Sequence, residues 1–291
     1  MQAALNFATA RADGTVPFLL NTHWTGTNPR KVMVEMHDAR SIPSGASLNR
    51  EGFTLSRIDC NVDYGNLDDV AGPWYDAVRT HVQKVTGASF VTLFGGPLLR
   101  FSNRDTHSKD STVAAPARAV HADLAGAFDW NDIPGSPAAD RAVREIQEKF
   151  GGRKFEDIEP KSWKIFNIWQ MISSPPQDTP LAVCALDSVL PEDVLNGIGR
   201  FCPEDGPEPA LPQSSEEADA PITFYRENAS QRWYYVSNMQ PGEAIIFRTL
   251  DPSDKGPLKG RVPHCAFDIE PMPANAVGRN SIEIRAITVF D

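Results

Sequence analysis

The feature that most constrains how this chain can fold is a histidine and a carboxylate two residues apart, His121 and Asp123. The stretch around them has the pattern of a short strand, in which side chains at i and i+2 point to the same face. One further histidine would complete the 2-His-1-carboxylate set that holds a non-haem iron. His264, within Pro-His-Cys-Ala-Phe at 263–267, is the candidate. This hypothesis requires strands from the middle and the end of the chain to meet.

Short strands separated by turn residues dominate the rest of the pattern. The chain has 291 residues, and its 24 prolines and 20 glycines are typical of a sandwich or barrel with long loops. Helical spacing is found at residues 67–87 and from 137 to about 150, and proline in the first turn predicts a short helix at 191–201. We therefore predict a mainly β protein with flanking helices, a double-stranded β-helix (a cupin-like jelly roll).

The domain organisation depends on a Pro-, Glu- and Ser-rich segment at residues 203–220, which has the composition of a linker. The metal hypothesis needs strands from both sides of this segment. We therefore predict a single domain over residues 1–291, with a strand-rich N-terminal region at 1–60 and an acidic surface-loop insertion at 203–220.

Composition argues against several classes of partner. The net charge is 28 − 38 = −10, so no basic field attracts nucleic acid or an anionic membrane. No apolar run reaches membrane-spanning length, and the first residues lack the apolar core of a signal peptide. Four cysteines without a C-x-x-C pair are typical of reduced thiols in a cytoplasmic protein. We expect a small-molecule partner, with homo-oligomerisation left open.

The last strand carries an unusual polar face. Alternation places Arg279, Ser281, Glu283 and Arg285 on one side. Two arginines and a hydroxyl are odd in a barrel wall unless they receive an anion or a buried partner. A dicarboxylate such as 2-oxoglutarate would chelate iron with its keto-acid end while Arg279 and Ser281 hold the far carboxylate. An internal Glu283–Arg285 network is the alternative, and the residues alone leave both interpretations open.

A family resemblance rests on motifs that occur in a fixed order. They are His121-Ala122-Asp123, Asn167-Ile168-Trp169, Pro-Leu-Ala-Val-Cys at 180–184, Arg-Trp-Tyr-Tyr at 232–235, Pro-His-Cys-Ala-Phe at 263–267 and Arg-Asn-Ser-Ile-Glu-Ile-Arg at 279–285. Together they resemble the hydroxylase/desaturase family that includes CmcJ-like proteins, the aspergillic-acid hydroxylase and the fungal gibberellin desaturase. The resemblance covers roughly residues 50–291. This chain departs from it at Gln170, where arginine is frequent, and at Leu124, where glutamine is commoner.

The resemblance implies an Fe(II)- and 2-oxoglutarate-dependent oxygenase that uses O2 to hydroxylate, desaturate or cyclise a natural-product intermediate. It places the metal and catalytic roles on His121, Asp123 and His264. It places the co-substrate role on Arg279, and on Ser281 or Arg285 beside it. Candidate substrate-pocket residues, each of which fits core packing equally well, are Asn167, Trp169, Trp130 and Tyr235.

Three other functions fit parts of the pattern. A cupin-like zinc or manganese hydrolase or isomerase would keep the triad but would need no anchoring Arg279. A non-catalytic small-molecule-binding homologue would keep the fold without turnover. An interaction module that uses the acidic segment at 203–220 rests on composition alone.

Overall fold

The computed structural model describes residues 1–10, 12, 15–20, 29–101, 113–124, 137–152, 162–201 and 222–290. Two sequence predictions, the acidic loop at 203–220 and the pocket role of Trp130, lie outside these residues. Everything that follows concerns the described ranges.

The larger sheet has nine strands and carries both histidine strands at its centre. Listed from one edge to the other, its strands are β1 (Gln2–Phe7), β3 (Arg30–Asp38), β12 (Trp233–Tyr235), β9 (Leu181–Cys184), β14 (His264–Ala266), β7 (His121–Asp123), β11 (Ile222–Tyr225), β10 (Val194–Phe201) and β2 (Thr15–Leu20). Neighbours in this order come from distant parts of the chain. The meeting of middle and C-terminal strands that the metal hypothesis requires is therefore present.

The smaller sheet has six strands and contains the polar last strand. Its order is β4 (Phe53–Arg57), β13 (Glu243–Leu250), β8 (Trp163–Met171), β15 (Asn280–Val289), β5 (Phe90–Phe101) and β6 (Val113–Ala114). β8 and β15 are central and antiparallel, and Asn167 lies directly opposite Arg285. The mainly β prediction is confirmed, and these two sheets pack on each other as in a jelly roll.

An apolar cluster fills part of the space between the sheets. Trp169 and Phe247 from the smaller sheet pack there with Leu181 and Val183 from the larger one. Alternation along β8 sends Phe166 and Ile168 to the opposite face of the smaller sheet. The odd-numbered residues of β8 therefore face the interior.

Helices cover the outer face and one end of the smaller sheet. α1 (Leu67–Asp69), a π-helical turn (Val70–Trp74) and α2 (Tyr75–Thr86) form one segment, which ends at Gly87 with φ of +71°. α3 (Pro137–Lys149) packs Ala142 and Ile146 against Ile165 and Ile287. Both long helical predictions are confirmed. No helix within the described ranges is long and apolar enough to cross a bilayer.

The short helix predicted at 191–201 is wrong. Only Pro191–Asp193 forms a 3-10 turn, and the chain then continues as β10, between β2 and β11. Strand pairing on both sides of β10 overrides the local helix propensity. The close approach of β11 requires glycine at 197, because a Cβ built there would lie 2.3 Å from the carbonyl oxygen of Ile222.

Candidate metal centre

Three predicted ligands converge between the two sheets. β7 and β14 are antiparallel, and His264 lies directly opposite His121. Asp123 follows two residues along β7 and faces the same side. The three side chains are buried, and one ligating atom from each lies within 4.8 Å of the others. The structure therefore brings together His121, Asp123 and His264.

Backbone carbonyls fix the imidazole tautomers. Nδ1 of His121 lies 2.7 Å from the carbonyl oxygen of Ala119, and Nδ1 of His264 lies 3.1 Å from that of Val262. Because a carbonyl only accepts, Nδ1 is the protonated nitrogen in the neutral form of each ring, which leaves the lone pair on Nε2. Burial, helped by the neighbouring His264, lowers the pKa of His121 to about 3. The ring of His121 is therefore neutral at physiological pH.

The carboxylate of Asp123 is held from the opposite sheet. Its Oδ2 accepts hydrogen bonds from Nε of Arg285 at 3.0 Å and from Nδ2 of Asn167 at 3.2 Å, and it forms an ion pair with Nη2 of Arg285 at 2.8 Å. Burial would raise the pKa of Asp123, but the positive charge of Arg285 and its hydrogen bond outweigh burial and hold the pKa below its usual range. Two neutral nitrogen donors and one anionic oxygen fit a divalent metal such as Fe(II).

A second polar feature of the interior is a pair of groups without a hydrogen-bond partner, one directly before β15 and one at its start. Arg279 is 1% exposed and donates from Nη1 to the carbonyl oxygen of Thr179 at 3.1 Å. Within the described part of the chain, its Nε and the hydroxyl of Ser281 have no hydrogen-bond partner. Burial lowers the pKa of Arg279 to about 9. These groups could receive a carboxylate.

The interior apolar cluster connects the metal centre with this pair. The ring of Phe247 lies 4.6 Å from that of His264, and the guanidinium of Arg279 lies over the ring of Trp169 at 5.3 Å. Phe247 and Trp169 belong to one buried cluster. An anion that spans from the triad to Arg279 would therefore lie against apolar walls.

Of the predicted pocket residues within the described ranges, two line the site and one does not. Asn167 contacts Asp123 and Trp169 contacts Arg279, so both line the site. The pocket role of Tyr235 is wrong. Tyr234 is the register partner of Val183, and Val183 is the register partner of His264, so Tyr234 lies on the same face of the sheet as the metal ligand. The next residue, Tyr235, therefore points to the opposite face, where its ring packs edge-on against Phe267 at 5.7 Å. Among two adjacent tyrosines, the sequence does not show which one faces inward.

Two further side chains change the sequence-based interpretation. Phe247 was missed, although alternation in β13 places it with Ile245 on one face, because nothing local shows that this face meets His264. Gln170, where the family often has arginine, points away from the site and bonds to the indole of Trp74 at 2.8 Å. This departure therefore leaves the site unchanged.

Comparisons with known proteins agree with the site. The sequence model of a family described as "Oxidoreductase/YMDC permease-like domain" matches residues 5–290. The "Alpha-ketoglutarate-dependent dioxygenase phiK" of a fungal species is 29% identical, over 100% of this chain and 96% of the relative. The "Fe(II)/2-oxoglutarate-dependent dioxygenase nvfI" of Aspergillus novofumigatus is 28% identical, over 92% and 84%. The "Hydroxylase/desaturase efuI" of Hormonema carpetanum is 27% identical, over 89% and 83%.

A solved structure supports the predicted fold. The "iron and alpha-ketoglutarate-dependent endoperoxidase NvfI with different conformation" superposes with a TM-score of 0.72 and 24% identity, over 100% of this chain and 98% of that one. At this identity the likeness establishes the jelly-roll fold. Together with the match over residues 5–290, it leads to one conclusion. The chain belongs to this oxidoreductase family, whose named relatives are iron- and 2-oxoglutarate-dependent dioxygenases and hydroxylase/desaturases, as its sequence motifs implied.

Proposed function

We propose that the chain is an Fe(II)- and 2-oxoglutarate-dependent oxygenase that oxidises a C–H bond of a small-molecule natural-product intermediate, by hydroxylation, desaturation or ring formation. One observation carries the proposal. A neutral-histidine and carboxylate triad shares a buried interior with an arginine that has no carboxylate partner among the described residues. A cupin-like hydrolase or isomerase would need the triad but not the arginine.

Each side chain has a role in this proposal. Nε2 of His121, Nε2 of His264 and Oδ1 of Asp123 would hold the iron. When bound, the iron with 2-oxoglutarate and O2 supplies the oxidant for the C–H bond, and the keto acid leaves as succinate and carbon dioxide. Arg279 and Ser281 would bind the far carboxylate of 2-oxoglutarate, which neutralises a buried charge. The apolar walls exclude water from the reacting atoms.

An anaerobic experiment tests this function. We expect Fe(II) and 2-oxoglutarate together to give a visible charge-transfer band, and admission of O2 to release succinate. A slow uncoupled release is expected without the natural substrate. His264→Ala should give neither signal, whereas Arg57→Met, which removes an exposed ion pair with Asp59, should behave as wild type. Metal binding without a band or succinate would favour the hydrolase or a non-catalytic binding protein.

We also propose that residues 1–291 form one domain in the cytoplasm. Support for a single domain comes from the strand order, because β9, β14, β7 and β11 are neighbours from different parts of the chain. The family match over residues 5–290 agrees with it.

The cytoplasmic location is supported by Cys60, Cys184 and Cys265, which are free thiols in the described ranges. Limited proteolysis would test the domain, and a fluorescent fusion would test the location.

A further inference from the structure

The two oxygens of Asp123 have different surroundings. Oδ1 faces the triad and lies 3.9 Å from Nε2 of His121. Oδ2 accepts one hydrogen bond from Arg285 and one from Asn167, and it forms an ion pair with Nη2 of Arg285 at 2.8 Å. A carboxylate oxygen whose two lone pairs already accept hydrogen bonds has little capacity left for a metal. The fold therefore leaves one oxygen of Asp123 free to bind.

The two donor residues form a rigid unit. Arg285 and Asn167 are directly opposite each other on β15 and β8, the two central strands of the smaller sheet. Asn167 is 1% exposed, so its amide has little freedom to turn. Asp123 belongs to the larger sheet. The contact therefore ties the metal-facing strand to the opposite wall of the barrel.

Arg285 is also separated from Arg279, which directly precedes β15. The two arginines are six residues apart in extended chain, which places their Cα atoms about 20 Å from each other at about 3.3 Å per residue. Arg279 has no carboxylate partner in the described ranges, whereas Arg285 is paired with Asp123. The two arginines therefore have different roles: Arg279 is available for a ligand, whereas Arg285 binds Asp123.

We propose that Arg285 and Asn167 are positioning residues that hold Asp123 as a one-oxygen metal ligand, and that Arg285 does not anchor the co-substrate. The proposal deepens the proposed function and rests on its metal centre. A carboxylate that bound through both oxygens would occupy one of the three positions that the triad leaves open. Groups that orient a ligand in this way contribute strongly to metal affinity.

Cobalt(II) alone is the probe for this role, because it needs neither O2 nor turnover. Arg285→Met and Asn167→Ala should each weaken Co(II) binding by about 10- to 100-fold. Arg285→Lys keeps the charge but loses the two-donor geometry, so its affinity should fall in between. The visible Co(II) spectrum of Arg285→Met should also change, because Oδ2 of Asp123 becomes available as a second oxygen ligand of the metal. Arg57→Met is the matched control and should bind as wild type.

A double-mutant cycle tests whether Arg285 acts through Asp123. In an Asp123→Asn background, Arg285→Met should cause no further loss of Co(II) affinity. Equal losses in both backgrounds, or Co(II) affinity within twofold of wild type in all three single variants, would overturn the proposal. If Arg285→Met fails to fold, Arg285→Lys and Asn167→Ala carry the same comparison.

The co-substrate separates this proposal from the proposed function. With the metal bound, Arg279→Met should weaken 2-oxoglutarate binding and leave Co(II) affinity unchanged, the reverse of Arg285→Met. Loss of 2-oxoglutarate binding with intact Co(II) affinity in Arg285→Met would make Arg285 the anchor and overturn the positioning role. Normal Co(II) behaviour without any 2-oxoglutarate binding in wild type would instead refute the proposed function and leave the positioning role standing.

Discussion

Arg279 is a buried cation whose side chain makes one hydrogen bond among the described residues, to the carbonyl oxygen of Thr179. A buried charge without a carboxylate costs stability, and a folded chain keeps it where a ligand offsets the cost. Ser281, two residues further along the same strand face, is also buried without a partner in the described ranges. The two side chains offer donors to one anion.

We expect Arg279→Met to weaken 2-oxoglutarate binding by about 30-fold or more, because removing one partner of a buried charge pair costs roughly 2–5 kcal/mol. The ligand-free variant should be as stable as wild type or more stable, because an apolar side chain replaces an unpaired buried charge. Calorimetric titration of the metal-loaded protein measures the first effect, and thermal unfolding of the ligand-free protein measures the second.

Ser281→Ala is the milder comparison. The hydroxyl contributes one neutral hydrogen bond, so the affinity for 2-oxoglutarate should fall about threefold to tenfold, or by about 1 kcal/mol. If Arg279→Met destabilises the ligand-free protein and leaves 2-oxoglutarate binding intact, the arginine is structural and the anchor lies elsewhere.

Individual site residues were predictable where the pattern is local. His121 and Asp123 share a face because they are two residues apart in a strand, and that relation needs no tertiary information. Tyr235 was misassigned because its inward or outward direction depends on the register between β12 and β9. The pairing of Arg285 with Asp123 joins residues 162 positions apart. It is neither of the alternatives that the sequence left open, a co-substrate anchor or a network with Glu283, and Glu283 pairs with Arg100 instead.

At the scale of elements, β10 shows the limit of local propensity. The prediction of a helix at 191–201 rested on a proline at the first turn, and the structure has a strand that two neighbours pair. Gly197 lies where β10 approaches Ile222, and Ile222 is in turn the register partner of Asp123 on β7. A backbone displacement in β10 would therefore reach the metal centre through β11.

We expect Gly197→Ala to destabilise the fold by about 1–3 kcal/mol, because the added methyl meets a backbone oxygen that cannot turn away. Its Co(II) affinity should fall several-fold as β11 shifts beside Asp123. Chemical denaturation and Co(II) titration are the measurements. Gly72→Ala is the control, since a Cβ there meets no atom within 4 Å, and it should change stability by no more than about 1 kcal/mol. Equal effects of both substitutions would contradict the close approach.

At the scale of the whole molecule, the site is where the two sheets are held together by polar contacts. The metal-facing side chains come from the larger sheet, whereas Arg279, Ser281, Arg285 and Asn167 come from the smaller one. The sequence predicted that the strands of His121 and His264 meet, and strand alternation predicted the polar face of the last strand. It gave no information on which residues of one wall would meet which residues of the other, because that depends on packing across the interior.

Because the site lies between the two sheets, ligand binding should stabilise the whole fold, and 2-oxoglutarate should do so only after the metal has bound. A ligand at 100 times its Kd adds about 2.7 kcal/mol, which for a chain of this size raises the Tm by about 5–10 °C. Co(II) should raise the Tm alone, because it joins β7 to β14. 2-Oxoglutarate should add a second shift only after Co(II) is present, because its keto-acid end needs the metal. Arg279→Met should keep the first shift and lose the second, and His264→Ala should lose both. A shift with 2-oxoglutarate that is equally large without metal would place its binding site away from the triad.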